Sequence, residues 1–127
     1  MRNQLPYDYS VIRVAPRVDR EEFINVGVIL SCPDRQFLGA RIALDRARLK
    51  GLFPEADLDV IEAHLAAIPA ICAGGEEAGP IGRLSQRERF HWLVAPRSTM
   101  IQPSPVHTGR CSDPALALDR LMQRMVL

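Results

Sequence analysis

The chain has 127 residues, 47% of them hydrophobic and 24% charged, which is typical of a single soluble globular domain with its own core. Its formal net charge of +1 argues against a protein whose main task is to coat nucleic acid. No apolar run approaches the ~20 residues of a membrane-spanning helix, and the N-terminal residues lack the apolar segment of a secretory signal. We therefore expect a cytoplasmic protein with no membrane contact.

Alternation of apolar and polar residues predicts three strands in the first third of the chain. They cover residues 7–16, 23–32 and 37–44. The second is apolar on nearly both faces, which predicts a central strand. Pro33 and the residues after it favour a turn, and so a hairpin between the second and third strands. Gly27 has no side chain, which indicates that a helix or another backbone passes close to it.

Two helices are predicted to follow the strands. Asp45 can act as the N-cap of a short helix over residues 46–52. Asp57 can cap a longer one, in which apolar residues recur every three or four positions up to residue 71. Pro69 lacks the amide that a helix interior needs, so we expect a kink or an early end just before it.

The next segment, residues 73–82, is rich in glycine. It contains two glutamates and lacks the Gly-Lys-Ser/Thr ending of a phosphate-binding loop, so a mobile connection or a lid is the better interpretation. Ser85 and Glu88 then match a capping box, which favours a helix from residue 86 towards residue 92. A strand over residues 90–95 remains the alternative.

The last part of the chain is predicted to return to the sheet and then close with a helix. Residues 106–111 fit an edge strand, while Asp113 and Pro114 fit the start of an amphipathic helix. The element order therefore predicts one α+β domain over residues 1–127. Its small antiparallel sheet of three to five strands would be covered by helices.

The cysteines of the chain are widely spaced and form no Cys-x-x-Cys pair: they are Cys32, Cys72 and Cys111. None stands at metal-ligand spacing from a histidine, so we expect no metal site. Reduced thiols that pack as small buried hydrophobes are the expected state. The sequence also gives no reason to expect a cofactor.

Polar side chains able to bind an anion are concentrated between Phe90 and Gly109, where prolines restrict the backbone. Arginine binds phosphate or carboxylate with two parallel hydrogen bonds, hydroxyls add donors, and a histidine can carry a proton near neutral pH. The candidate ligand-binding residues are Arg97, Ser98, Thr99, His107, Thr108 and Arg89.

The structural alternative for these residues stays open. In it, Arg97 pairs with an acid from another element, the hydroxyls satisfy turns, and His107 is a packing residue. A nucleophilic site that joins Ser98 or Ser104 to His107 has no supporting Gly-x-Ser-x-Gly motif. In the first strand, Tyr9 and Arg13 can share one face and stack a base, although packing is the commoner role of a strand tyrosine.

Four segments of the chain resemble a bacterial family described only as domain of unknown function 3037. They are residues 9–16, residues 22–30 with their Glu-Phe-x-Asn-Val-Gly-Val pattern, Arg89-Phe90, and residues 95–99. The resemblance implies a small cytosolic bacterial protein and assigns no activity. It indicates Glu22, Asn25, Arg89 and Arg97 as motif positions. Arg13 is a further supporting candidate for a binding site. Such proteins are similar to companions of kinase-like proteins of the toxin and antitoxin type.

Three functions are carried forward from the sequence. The leading hypothesis is a non-enzymatic accessory or protein-interaction module in a regulatory or defence-like operon, with a kinase-like operon neighbour as one candidate partner. The second is a small enzyme or ligand-binding domain that recognises a phosphate or nucleotide through the Arg/Ser/Thr/His pocket. Nucleic-acid binding ranks third because of the near-neutral charge. The sequence decides neither catalysis nor the oligomeric state.

Overall fold

The computed structural model describes residues 4–17, 20–96 and 99–127. Five strands form one antiparallel sheet, in which β2 lies between β3 and β1, and both β4 and β5 pair with the other edge of β1. The strands are β1 (Leu5–Val14), β2 (Ile24–Cys32), β3 (Phe37–Ile42), β4 (Ile101–Pro103) and β5 (His107–Cys111). The predicted α+β class, the antiparallel sheet and the hairpin between β2 and β3 are confirmed.

Four α-helices accompany the sheet: α1 (Arg46–Leu52), α2 (Leu58–Ala73), α3 (Gln86–Val94) and α4 (Pro114–Met125). Their predicted caps are present, since the side chains of Asp45, Asp57 and Asp113 accept backbone N–H groups in the first turns of α1, α2 and α4. No single helix in the described part of the chain is long and apolar enough to cross a membrane. Helix α2 and the 3-10 segment after it, which are bent by 63° relative to each other, together have the length and composition of a membrane-crossing segment.

The helices are divided unequally between the two sides of the sheet. On one side, which we call the covered face, α1, α2 and α3 pack with Leu49, Ile61, Leu65 and Phe90 against the strands. On the other side, α4 packs on β2 and β3 through Leu118 and its apolar neighbours. We call the α4 side of β1 and β5, together with Phe23 just before β2, the open half, because α4 packs mainly on β2 and β3 and only the edge of its cluster reaches Tyr7, Tyr9 and Cys111.

Gly27 shows why the central strand needs a glycine. A Cβ atom at this position would lie 2.5 Å from the carbonyl oxygen of Arg41 in β3, so the neighbouring backbone occupies the space of a side chain. The register between β1 and β2 shifts beside it: Ile12 faces Gly27, whereas Arg13 faces Asn25. Val26 is therefore the extra residue of a bulge, which turns Asn25 towards the α4 side. The predicted close backbone approach is confirmed.

The outer strand on the β1 edge is broken into β4 and β5 by Ser104, Pro105 and Val106, and the sequence predicted only its second half. Ser104 holds the break against β1: its N–H donates to the Val11 carbonyl and its Oγ accepts the Val11 N–H, both at 2.8 Å. Ser10 adds a hydrogen bond from its hydroxyl to the Ser104 carbonyl at 2.8 Å. One buried serine thus replaces the backbone ladder where the strand is interrupted.

Three details differ from the prediction. Of the kink or early end predicted at Pro69, the early end is wrong: helix α2 continues to Ala73, because the turn beyond the proline buries Ile71 and Cys72. The glycine-rich segment is not an irregular loop: it forms 3-10 turns over Glu76–Arg83, with the Gly75 N–H bonded to the Gly82 carbonyl. Of the two alternatives at residues 86–95 the helix is correct, and its complete capping box explains why.

Candidate functional site

The anion pocket predicted between residues 89 and 108 is only partly visible, because Arg97 and Ser98 lie outside the described residues. Thr99 is exposed, and its hydroxyl donates to the Ile101 carbonyl at 2.9 Å. The Gln102 side-chain amide donates to the Thr99 carbonyl at 2.8 Å. Thr99 therefore closes a local turn that leads into β4.

Arg89 of α3 lies on the covered side of the sheet and contacts the C-terminal end of α2. Its guanidinium donates to the carbonyls of Ile71 and Cys72 at 2.9 and 2.6 Å, and its Nε donates to the Leu84 carbonyl at 3.1 Å. These carbonyls include ones at a helix C-terminus, where the positive charge is also favourable. Burial raises the pKa of the neighbouring Cys72 thiol to about 12, although the Arg89 charge opposes this. Through these hydrogen bonds Arg89 ties α3 to the C-terminal end of α2.

His107 lies on the opposite side of the sheet from Arg89. It begins β5 and faces Tyr9 of β1, with the two ring centroids 5.5 Å apart. Thr108 is exposed and points to the other side of the strand, because successive strand residues alternate. The structure therefore does not bring Arg89, His107 and Thr108 together around one concavity.

Ser104, which the sequence paired with His107 as an unsupported nucleophile, is buried. Its hydroxyl accepts the Val11 N–H and donates to the Pro105 carbonyl at 2.9 Å. Both of these bonds are to backbone groups that the broken edge strand leaves without ladder partners. Because its hydroxyl makes these hydrogen bonds, we assign Ser104 a structural role in the sheet.

The open half carries a row of aromatic side chains, two half-buried tyrosines and an exposed histidine, that the sequence did not predict as a group. Tyr7 and Tyr9 alternate along β1 with ring centroids 6.1 Å apart, and His107 continues the row onto β5. The Tyr7 ring lies over Gly109, where an added Cβ would come within 2.5 Å of the ring. Burial raises the pKa of the Tyr7 phenol above its ordinary value, so the hydroxyl remains a donor at neutral pH. The period-two spacing of the tyrosines was the available signal.

Arg13 continues the same face of β1 beyond the tyrosines. Its guanidinium carbon lies 4.3 Å above the centre of the Phe23 ring, and Phe23 itself is 46% exposed. The Arg13 Nε atom is buried and has no hydrogen-bond partner among the described residues. The pair places a cation and an exposed aromatic ring side by side at the end of the open half.

Asn25, the cross-strand neighbour of Arg13, connects this region to the C-terminal helix. Its side-chain amide donates to the carbonyl of Met125, the last residue of α4, at 3.0 Å. Its Oδ1 atom is buried without a partner in the described part of the chain. Glu22 is exposed and pairs with Arg20. Asn25 and Arg13 are therefore neighbours across two paired strands. Glu22 instead takes part in an ion pair at the surface, and Arg89 lies on the opposite side of the sheet.

A second concavity lies on the covered side, between α2, α3 and β4. It measures about 280 Å³, and its mouth includes Trp92, which is 40% exposed. Its described lining is apolar apart from His64, Thr99 and Gln102, and it contains no arginine, lysine or carboxylate. This groove suits a small apolar group and offers little to select among partners.

By its fold and surface, the chain is a small α+β domain whose sheet is covered on one side and half exposed on the other. Residues 9–126 match the sequence model of the family described as protein of unknown function (DUF3037), so the chain belongs to that family and the resemblance noted in the sequence is confirmed. No curated protein and no solved structure matches the chain.

Proposed function

We propose that the chain is a non-enzymatic accessory module that works by binding a protein partner through the open half of its sheet. The observation that carries this proposal is a row of aromatic and basic side chains on β1 and β5 and beside β2, in which Tyr7, Tyr9 and Arg13 are half-buried and Phe23 and His107 are exposed. Tyrosine, phenylalanine and arginine are enriched at protein interfaces, where a few such residues supply most of the binding free energy.

The rigidity of this surface supports the proposal. The side chains of Tyr9, Arg13 and His107 stand on paired strands, and Phe23 is held next to them by the Arg13 guanidinium. Binding therefore immobilises few additional rotamers, which lowers its entropic cost. Among the described residues, the lining of the covered-side groove has neither a charged side chain nor a comparable row of rings.

The cellular setting of the proposal follows from the family resemblance. We propose a cytoplasmic bacterial protein in a regulatory or defence-like operon, and a kinase-like protein encoded beside it is the first partner to test. Contact with such a protein needs no metal or cofactor in the module itself.

The test is co-expression of the tagged chain with its kinase-like operon neighbour, followed by titration of the purified components. The open-half variant combines Phe23→Ser with His107→Ala, since both side chains are exposed and their loss should leave the fold intact. The control combines Leu52→Ser with Val60→Ser, which are 54% and 43% exposed on α1 and α2. We expect the open-half variant to bind at least ~10-fold more weakly than the wild type, and the control to bind like the wild type.

The same variants extend the test to other partners. Proteins captured from the native host by the wild type are identified, purified and titrated against both variants. The proposal fails if no protein, the operon neighbour included, loses affinity specifically through the open-half substitutions while both variants keep the wild-type melting temperature.

A further inference from the structure

The outer edge of β5 has the backbone geometry of a strand that can accept another strand. In β1, the backbone groups of Val11 and Ala15 are directed to the outer strand, because Val11 bonds to Ser104 and Ala15 to Met100 at 2.7–2.8 Å. By alternation, Tyr7 and Tyr9 also bond outward, to the β5 residues opposite them. The intervening β5 residues, Thr108 and Arg110, therefore direct their N–H and C=O groups away from the sheet.

No described strand pairs with this edge of β5. The neighbouring strand β4 is less suitable, because Pro103 and Pro105 remove donors at the same edge. The five residues of β5 therefore form the section of this edge where a peptide can add as a strand, with backbone hydrogen bonds supplying affinity and alternate side chains supplying specificity.

A basic cleft adjoins the inner side of this edge. It measures about 320 Å³ and is lined by Arg110 of β5, by Arg120 and Arg124 of α4, and by Tyr7, which also belongs to the aromatic row. The carboxylate in the lining is that of Asp113, which already accepts the N–H groups of the first turn of α4. The cleft therefore carries more positive than negative charge.

The arginines of the cleft also differ from those elsewhere on the sheet and α4. Arg41 of β3 pairs with Asp119 of α4 at 2.9 Å, so the far side of the same helix is neutralised. Within the described residues, neither Arg120 nor Arg124 lies within ion-pair distance of a carboxylate. Arginine forks suit the paired oxygens of a carboxylate, so the missing partner is expected to be acidic.

We propose that the edge of β5 takes up an extended acidic segment of the protein partner as an added strand, and that carboxylates of this segment bind Arg120 and Arg124. This inference rests on the proposed function and names the chemistry of the partner. A second copy of the chain fits poorly, because pairing two β5 edges would bring two basic clefts together. Nucleic acid would match the charge but has no amide backbone to extend the sheet.

The experiment measures fluorescence anisotropy of a labelled peptide of alternating threonine and glutamate, titrated with the full chain. Thr108→Pro removes an outward N–H at an edge, a place where proline is tolerated, and Thr108→Val is the matched control that keeps it. We expect Thr108→Pro to weaken binding by about fivefold or more, and Thr108→Val to bind like the wild type. The same peptide with N-methylated alternate amides should show an equal loss on the wild-type chain, which tests the edge without any mutation.

The charge requirement is measured with the double variant Arg120→Gln, Arg124→Gln. It should weaken binding of the acidic peptide by about fivefold, with the difference shrinking as salt is added. The control is Arg83→Gln with Arg87→Gln, two exposed arginines outside the cleft, which should bind the peptide like the wild type. A peptide of alternating threonine and lysine should bind at least ~10-fold more weakly than the acidic one.

The proposal is overturned if the N-methylated peptide binds as tightly as the unmodified one, or if acidic and basic peptides bind alike. It is also overturned if a labelled thymidine oligonucleotide of equal charge binds more tightly than the peptide, or if ultracentrifugation shows a dimer that Thr108→Pro abolishes. A partner that needs Phe23 and His107 but ignores Thr108→Pro and the Arg120/Arg124 pair would refute this inference and leave the proposed function standing.

Discussion

On the covered face, Ile61 and Leu65 of α2 are 0% and 2% exposed, whereas on the open half Phe23 remains 46% exposed. Both surfaces are built on the same sheet, so the difference comes from the helices: three of them pack on one side, and α4 alone packs on the other, mainly on β2 and β3. The covered face therefore carries most of the free energy of folding, and the open half can be changed with little effect on the fold.

Truncation of one residue on each side gives the largest expected contrast. Leu65→Ala removes buried methyl groups from the covered face and leaves a cavity, so we expect it to lower the free energy of unfolding by about 3 kcal/mol. Phe23→Ala on the open half should lower it by about 1 kcal/mol or less. Urea denaturation followed by circular dichroism measures both values, and equal losses would contradict the division into a covered and an open side.

The next largest loss of stability is expected when the hydrogen bonds from Arg89 to the end of α2 are removed. Arg89→Met keeps the length of the side chain but removes the donors to the carbonyls of Ile71, Cys72 and Leu84. We expect a loss of about 2 kcal/mol in the free energy of unfolding, because buried acceptors lose their partners. Binding through the open half should be unchanged in the same variant. A variant as stable as the wild type would show that Arg89 has a role other than closing α2.

A smaller loss is expected at the break between β4 and β5. Ser104→Ala leaves the buried N–H of Val11 without its acceptor, which should cost about 1–2 kcal/mol of unfolding free energy. Ser104→Thr keeps the hydroxyl and serves as the control. Hydrogen exchange at the Val11 amide provides a local measure, and it should accelerate in the alanine variant only.

The prediction from the sequence succeeded where the signal was local. Period-two alternation gave β1, β2 and β3, and the N-cap residues Asp45, Asp57 and Asp113 marked the starts of their helices. Gly27 was informative as well, because a buried apolar strand rarely lacks a side chain unless a neighbouring backbone fills its space. Each of these inferences depends on residues that are neighbours in the chain.

The prediction failed or was silent where distant residues decide. The continuation of α2 past Pro69 depends on burial of Ile71 and on carbonyl contacts from Arg89, which follows 20 residues later. The side of the sheet on which His107 lies depends on its register with Tyr9 across 98 positions of sequence. For that reason the sequence grouped Arg89 with His107 by proximity in the chain, although the sheet separates them.

The smallest predicted effect is a dependence on pH at the start of α3. The backbone N–H and the hydroxyl of Ser85 hydrogen-bond within the capping box and hold the pKa of the Glu88 carboxyl below its ordinary value. A carboxyl whose pKa is depressed in the folded state stabilises that state above its unfolded pKa of about 4.3, and this contribution disappears as the pH falls through the folded pKa. Glu88→Gln keeps a capping side chain but cannot titrate.

We therefore expect the melting temperature of the wild type to exceed that of Glu88→Gln by a small margin at neutral pH, with the margin vanishing in acid. Differential scanning calorimetry of both proteins across this range measures it. Ser85→Ala, which removes the hydroxyl that caps the Glu88 N–H, should reduce the same pH-dependent margin and also cost about 1 kcal/mol at every pH. A margin that stays constant from neutral to acidic pH would mean that the Glu88 charge does not contribute to the cap, and that the capping geometry alone starts α3.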